Sequence, residues 1–336
     1  MDSESKNKYE IGLVSYNVLT PNYCCEEYYI RSTKENCNGD LRYKRTVSKL
    51  MSHVAQNDII CLQEVCRSWL SKLLVLFEGQ SYYVVSSEWG SDASGNMANV
   101  IAFPVKNYDL LDCEILRISD LLPDIPKVPP EPWPKKLLKQ VFKFTNSIVA
   151  HTRFGFWIPI QQNSDEDARK KRNTIIILRL KNRSSGKEWV VANTHLPCAY
   201  KDPIVMFLHG VYAAKSVQTM AKKNNCCYLF AGDFNTKVID PLYNHYLNGI
   251  QELQLDPMKS VYAMANRMEP SYTNVSYTSN GEFVDTLDYV FTCGLLNVEA
   301  PKLPNDYPDN PQPNELEPSD HLLLYVKILK DTVEID

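Results

Sequence analysis

Short apolar runs bounded by turn residues alternate along this chain with segments of helical spacing. Tyr9–Val18 reads as a strand and Asp58–Gln63 as a short buried one. Between them Val47, Leu50, Met51 and Val54 recur with the period of a helix that buries one stripe. Tyr82–Ser86, Asn99–Val105, Thr174–Leu180 and Trp189–Asn193 carry further strands. Asn182–Lys187, with Ser184-Ser185-Gly186, reads as the hairpin turn joining the last two. Ile204, Phe207, Leu208, Val211, Ala214 and Ala221 return to helical spacing before strands at Tyr228–Ala231, Thr286–Phe291 and Leu322–Ile328.

Two stretches break this rhythm. Leu121–Pro134 holds six prolines and reads as irregular, and Pro301–Pro318 reads as a proline-rich acidic loop. There is no internal repeat and no linker, so strands spread from end to end predict one layered α/β domain over residues 1–336, with an insertion around 118–170.

Composition changes the picture little. A chain of 336 residues that is 44% hydrophobic can bury a core without disulfides or structural metal. Apolar runs such as Ile175–Leu178 fall far short of a membrane span. Met1–Glu10 lacks the apolar centre of a secretory leader, which leads us to expect a reducing compartment, the cytoplasm with the nucleus as alternative. The ten cysteines include the pairs Cys24-Cys25 and Cys226-Cys227 but no CxxC, and are expected as buried apolar thiols rather than zinc ligands.

Charge is more informative. The net charge of −4 excludes a basic nucleic-acid coat, yet Arg117–Lys187 holds 15 Lys/Arg against 6 Asp/Glu. Such asymmetry can steer a polyanion toward one face. On charge alone Arg169-Lys-Lys-Arg172 reads as a solvated loop.

Strands normally finish in turn residues, but here six finish in metal-capable or acid–base groups. They are Ser15-Tyr-Asn17, Leu62-Gln-Glu64, Asn193-Thr-His195, Gly232-Asp-Phe-Asn235, Leu287-Asp-Tyr289 and the Asp320-His321 that precedes the last strand. Carboxylates and amides converging at the mouth of a sandwich make a hard, oxygen-rich site suited to magnesium and phosphate oxygens. Two histidines can hydrogen-bond a pentavalent phosphate while an aspartate takes a proton from water. GxSxG, GxGxxG, GK[ST] and HExxH are all absent, so the inventory fits phosphate-ester hydrolysis rather than serine, thiol or nucleotide-binding chemistry.

The same six motifs, in this order from Tyr9 to about Lys327, resemble the endonuclease/exonuclease/phosphatase superfamily. Ala98-Asn-Val-Ile-Ala-Phe-Pro104 is similar to that family's Gly-Asn-Ala strand. Ser15-Tyr-Asn-Val-Leu19, Pro270-Ser-Tyr-Thr-Asn274 and Thr286-Leu-Asp-Tyr289 are similar to its carbon-catabolite-repressor-type deadenylase, nocturnin and Angel branch. The resemblance implies a deoxyribonuclease-I-like four-layered α/β sandwich, two packed mixed β-sheets flanked by helices. It implies an Mg2+-dependent 3′-to-5′ exoribonuclease, with Mn2+ able to substitute, whose partner is the 3′ end of RNA, preferentially poly(A).

Carried onto this sequence, the resemblance implies Glu64 as the main metal ligand with Asn17 beside it. Asp233 would activate the attacking water, Asn235 would hold the scissile phosphate, and His195 and His321 would donate to its oxygens. Asp288 would orient His195, and Asp320 would fix the tautomer of His321. Phe283, or alternatively Tyr277, would stack on adenine, and Arg153, Lys171, Arg172 and Asn173 would contact a phosphate backbone. The chain departs from the branch at Pro197-Cys-Ala-Tyr200, in the insertion, and in having no leucine-rich repeat. These departures leave open a phosphatase or phosphodiesterase acting on a small phosphoester such as a nucleotide, dinucleotide phosphate, phosphoinositide or sphingomyelin.

Overall fold

The computed structural model describes residues 9–91, 95–123, 164–294, 297–306 and 310–330, and arranges their strands in two six-stranded sheets. The first contains β1 (Tyr9–Asn17), β2 (Ile59–Cys66), β3 (Tyr82–Ser91), β4 (Gly95–Pro104), β13 (Val298–Glu299) and β14 (Leu324–Leu329), in the order β13-β14-β1-β2-β4-β3. The second contains β5 (Tyr108–Arg117), β6 (Thr174–Asn182), β7 (Glu188–His195), β8 (Cys227–Asp233), β9 (Lys259–Ser260) and β12 (Asp288–Thr292), in the order β5-β6-β7-β8-β12-β9. A separate hairpin pairs β10 (Asn274–Thr278) with β11 (Gly281–Asp285). Each large sheet mixes one parallel pair, β1 with β2 and β7 with β8, among antiparallel ones.

Period-2 burial sorts the side chains into layers. Ile11 and Leu13 of β1, Ile59 and Cys61 of β2, Val191 of β7, Leu229 and Ala231 of β8 and Val290 of β12 meet between the sheets. Their neighbours face outward. Val14, Tyr16, Ile60 and Leu62 pack under α1 (Gly39–Gln56) and α2 (Arg67–Gly79). A short helix α3 (Ser164–Lys170) precedes the two helices of the opposite face, α4 (Pro203–Lys223) and α5 (Pro241–Asn248). Those two pack on Val190, Ala192, Phe230 and Phe291 through Val211, Ala214, Val217, Leu242 and Tyr246. The layers are therefore helix, sheet, sheet, helix, as the sequence resemblance implies.

The inward rows turn polar at one end. Ile11-Leu13 continues in register to Ser15 and Asn17, Val191 to Asn193 and His195, Leu229-Ala231 to Asp233, and Val290 back to Asp288. Asn193 closes the seam: its amide donates to the carbonyls of Leu62 and Val100 in the opposite sheet and accepts from Gln63.

Element bounds differ from expectation in a few places. β2 runs on through Glu64 to Cys66, and β12 starts at Asp288, leaving Thr286 and Leu287 in the preceding loop. The predicted turn at Asn182 is present, with the Asn182 carboxamide oxygen accepting from the Ser184 amide. The insertion falls mostly on 124–163, outside the described residues. Its ends, the 3-10 turn Ile118–Leu121 and α3, lie against α4 through Leu122, Ala168, Val205 and Leu208. Cys24, Cys37, Cys61 and Cys66 are buried as expected, but Cys25, Cys113 and Cys198 are exposed.

Candidate active site

Strand pairing sets the spacing of the site. In the second sheet Asp233 lies between His195 on its parallel neighbour and Asp288 on its antiparallel one. Gly232, with φ +149°, lets β8 approach β7 so closely that a Cβ there would lie 2.1 Å from the Thr194 carbonyl oxygen. In the first sheet a register slip between Leu62 and Val65 makes a bulge. Glu64 sits on it in the left-handed region at φ +59°, re-aimed toward the end of β1. Its Oε2 accepts from the Thr20 amide at 3.1 Å.

Asn17 ties the two sheets' contributions together. Its Nδ2 donates to Glu64 Oε1 and to Asp233 Oδ2, both at 3.0 Å, and lies 3.4 Å from His321 Nε2. Its Oδ1 accepts from the Leu19 amide. The same Asp233 oxygen faces His195 Nε2 at 3.4 Å and His321 Nε2 at 3.7 Å, so the carboxylate sits between two imidazoles. The other Asp233 oxygen accepts from the Asn235 amide at 2.9 Å. Asn235 takes φ +48° and donates from its side chain to the Leu196 carbonyl.

Two second-rank assignments need correction. Asp288 orients His321, not His195: its Oδ2 meets His321 Nδ1 at 2.8 Å and accepts from the Thr273 hydroxyl at 2.7 Å. Asp320 does not fix the His321 tautomer, because its nearest approach to that ring is 4.0 Å. It accepts instead from the Tyr29 hydroxyl at 2.8 Å and the Asn274 amide at 3.3 Å. The resemblance implied the Asp320 pairing, but here the Nδ1 of His321 is taken by Asp288 and the Asp320 carboxylate by Tyr29 and Asn274. His195 is held by other means, its ring in T-shaped contact with Trp89 at 5.3 Å between centres and its carbonyl oxygen accepting from Asn173.

Electrostatics follow from this crowding. Burial and the nearby charge of Asp233 raise the Asp288 carboxyl to about 6, although His321 opposes the shift. Burial works against charge on His321, but Asp288, Asp320 and Asp233 outweigh it and hold the imidazolium well above the usual histidine range. Burial, then Asp320, keeps Tyr29 an O–H donor.

The remaining expected contacts separate. Phe283 is half-exposed on β11 with the Lys237 ammonium 4.9 Å from its ring centre, whereas Tyr277 is buried under Arg31 and serves as packing. Asn173 is buried and turned to the His195 carbonyl, so it supports that residue instead of facing a phosphate backbone. Arg172 is exposed and donates to the Gly90 carbonyl, and Arg153 lies outside the described residues. Trp89, Thr273 and Tyr29 were not singled out from sequence. Only Thr273, inside Pro270-Ser-Tyr-Thr-Asn274, carried any signal there.

Two groups could hold a metal ion, Glu64 with His195 and Asp233, and Asp233 with Asp288 and His321, their ligand atoms within 4.8 Å of one another. The donor chemistry fits a hard cation. Among the described residues the ion-pair partners of Asp233, Asp288 and Asp320 are histidines alone, and one oxygen each of Asp288 and Asp320 is buried without a hydrogen bond. Neither group contains a cysteine.

The sequence profile of the endonuclease/exonuclease/phosphatase family matches residues 36–321. The chain belongs to that family. Within it, human nocturnin is 27% identical over 160 residues, 46% of this chain and 36% of nocturnin. Drosophila melanogaster nocturnin is 27% identical over 183 residues, 44% of this chain and 26% of that protein. The chain thus spans about a third or less of these relatives' length. Among solved structures, ANGEL2, described as a 2′,3′-cyclic phosphatase and bound to adenosine-2′,3′-vanadate, superposes with a TM-score of 0.70 at 16% identity, covering 96% of this chain and 97% of its own. The human nocturnin catalytic domain does so with a TM-score of 0.62 at 16% identity over 95% and 94%. These likenesses confirm the family's sandwich fold.

Proposed function

We propose that this protein is a magnesium-dependent phosphoester hydrolase acting at the 3′ end of RNA, removing nucleotides 3′-to-5′ with a preference for poly(A) and releasing nucleoside monophosphates. The observation that carries the reading is the meeting of Asn17, Glu64, His195, Asp233 and His321 where the inward rows of both sheets turn polar.

Glu64, with Asn17 beside it, would hold the metal together with Asp233, and the metal supplies positive charge at the phosphoryl oxygens. Asp233 accepts the proton of the attacking water, and its bond from the Asn235 amide keeps one oxygen fixed while it does so. Asn235 positions the scissile phosphate. His195 and His321 donate through Nε2 to its oxygens, with His321 kept cationic by Asp288 behind it. Phe283 offers a face for the terminal adenine once Lys237 moves aside to a phosphate.

A second reading keeps the residues and changes the bond, to a 2′,3′-cyclic phosphate at an RNA terminus. What favours it is the superposition on ANGEL2 along nearly the whole of both chains.

One gel separates these readings. 5′-labelled RNA ending in adenines, with either a 3′-hydroxyl or a 2′,3′-cyclic phosphate, is incubated with magnesium and wild-type protein, Glu64→Ala or His321→Ala. A ladder that stalls at the first non-adenine and vanishes in both variants supports the exonuclease. Loss of the cyclic phosphate without shortening supports the second reading. RNA untouched in both forms sinks the two together.

A further inference from the structure

α1 carries a fully buried arginine that belongs to no part of the catalytic set. Arg42 is 0% exposed, and its guanidinium bonds three backbone carbonyls on two separate loops. Nη2 donates to Val18 at 2.7 Å and to Leu19, just beyond Asn17, while Nε donates to Pro318 at 2.6 Å, just before Ser319-Asp320-His321. Burying an unpaired cation is costly, so these bonds fix the arginine and both loops together.

The surroundings repeat the arrangement. Arg45, one turn along α1, donates to the Asn36 side chain and the Asn314 carbonyl, and Lys49 ion-pairs with Glu317. At positions 42, 45 and 49 these residues share one helix face. Where the loops meet, Ser319 Oγ donates to the Asn17 carbonyl at 2.7 Å and accepts from the His321 amide at 3.2 Å. Of these three α1 residues Arg42 reaches both loops, whereas Arg45 and Lys49 grip only the segment leading to His321 on this side of the site.

We propose that Arg42 is a positioning residue: it locks the Asn17 loop to the His321 loop and so sets the distance between the metal-binding and phosphate-binding halves of the site. A lysine cannot do this, because one nitrogen on a flexible stem replaces a planar fork that reaches both loops. The consequence for catalysis rests on the function proposed above, whereas the coupling of the loops does not.

The test is hydrogen–deuterium exchange on the full chain, reading peptides that span 17–21 and 317–322, in wild type, Arg42→Lys, Arg45→Ala and Leu50→Ala. Leu50 is buried in α1 among apolar side chains, so its truncation controls for general loosening of the helix. Arg42→Lys is expected to speed exchange about tenfold in both segments at once, Arg45→Ala in 317–322 alone, and Leu50→Ala in neither beyond its effect on α1. Should Arg42→Lys not fold, Arg42→Gln, whose shorter carboxamide cannot reach both loops, is read in the same peptides. Wild-type protection of both segments in the Arg42 variant, or faster exchange in only one of them, overturns the proposal. On cleaved RNA, Arg42→Lys should lower kcat by up to about 100-fold with KM within about threefold. If wild type cleaves nothing, the functional reading fails while the exchange data still judge the coupling.

Discussion

Each end of β1 lies against a histidine–aspartate pair, and only one is a candidate for chemistry. At its start, His53 Nδ1 meets Asp58 at 3.0 Å; beyond its end, His321 Nδ1 meets Asp288 at 2.8 Å. The pair geometry is nearly the same, and what surrounds each differs. Asp58 is one carboxylate among donors, accepting from His53, Tyr9 and Tyr325. Burial and Asp58 push the Tyr9 phenol up to about 12, so it stays a donor. Around Asp288 the ratio inverts: Glu64, Asp233 and Asp320 crowd two imidazoles, and buried oxygens are left over. A surplus of carboxylate, rather than a His–Asp contact, marks the place that would take a cation and a phosphate.

The largest effect should come from exchanging the two pairs' roles. His321→Ala is expected to lower kcat by about 10²–10⁴ while folding normally. Asp58→Ala should leave kcat within about twofold and lower stability by about 1–3 kcal/mol, because it strands several half-buried donors. Denaturant unfolding and steady-state rates on both variants check this, and an equal loss of rate would erase the distinction.

Magnesium sharpens it next. At a hundredfold excess over its dissociation constant the metal should raise stability by about 2.7 kcal/mol in wild type and not in Glu64→Ala. Thermal melts with and without chelator measure the difference, and chelation should abolish turnover. Phe283→Ala comes third, with a loss of about 1–3 kcal/mol in kcat/KM on adenine-ended RNA if its ring stacks on a base. The same loss on uridine-ended RNA would show stacking without base preference.

The smallest effect is one of pH, at a third histidine. Burial lowers the pKa of His209, whose Nε2 donates to the Ala168 carbonyl, so the folded protein resists its protonation. The unfolded chain binds that proton more readily, so this stabilisation is whole above the ordinary histidine pKa of about 6.5 and is lost as pH falls below it. Melting temperatures between pH 7 and pH 5 should fall less steeply in His209→Gln, which can keep the donor.

Local pattern revealed one kind of feature and hid another. The strand that ends in Asn17 and the one that ends in Asp233 were readable because each keeps period-2 burial up to its last, polar residue. β5 was not, because it is an edge strand with one exposed face and Leu110, Leu111 and Ile115 in water. Sequence expectation also lacks α2, where Trp69, Leu70, Leu73 and Phe77 share the buried face, and the Thr278–Gly281 turn between β10 and β11. Which aspartate serves which histidine could not be read at all. That choice depends on β12 lying beside β8 and on the bridge between Asn274 and His321, contacts made across long stretches of chain.

Gly232 has a consequence for anyone reading variation in this protein. It bears no functional group, yet it is the feeler gauge between two strands, and any side chain there would press on the Thr194 carbonyl and prise His195 away from Asp233. In a survey of all substitutions scored by activity, this position should tolerate one letter of twenty. It would rank beside the acids and histidines it separates, an inert spacer indistinguishable by phenotype from the groups proposed to carry the chemistry.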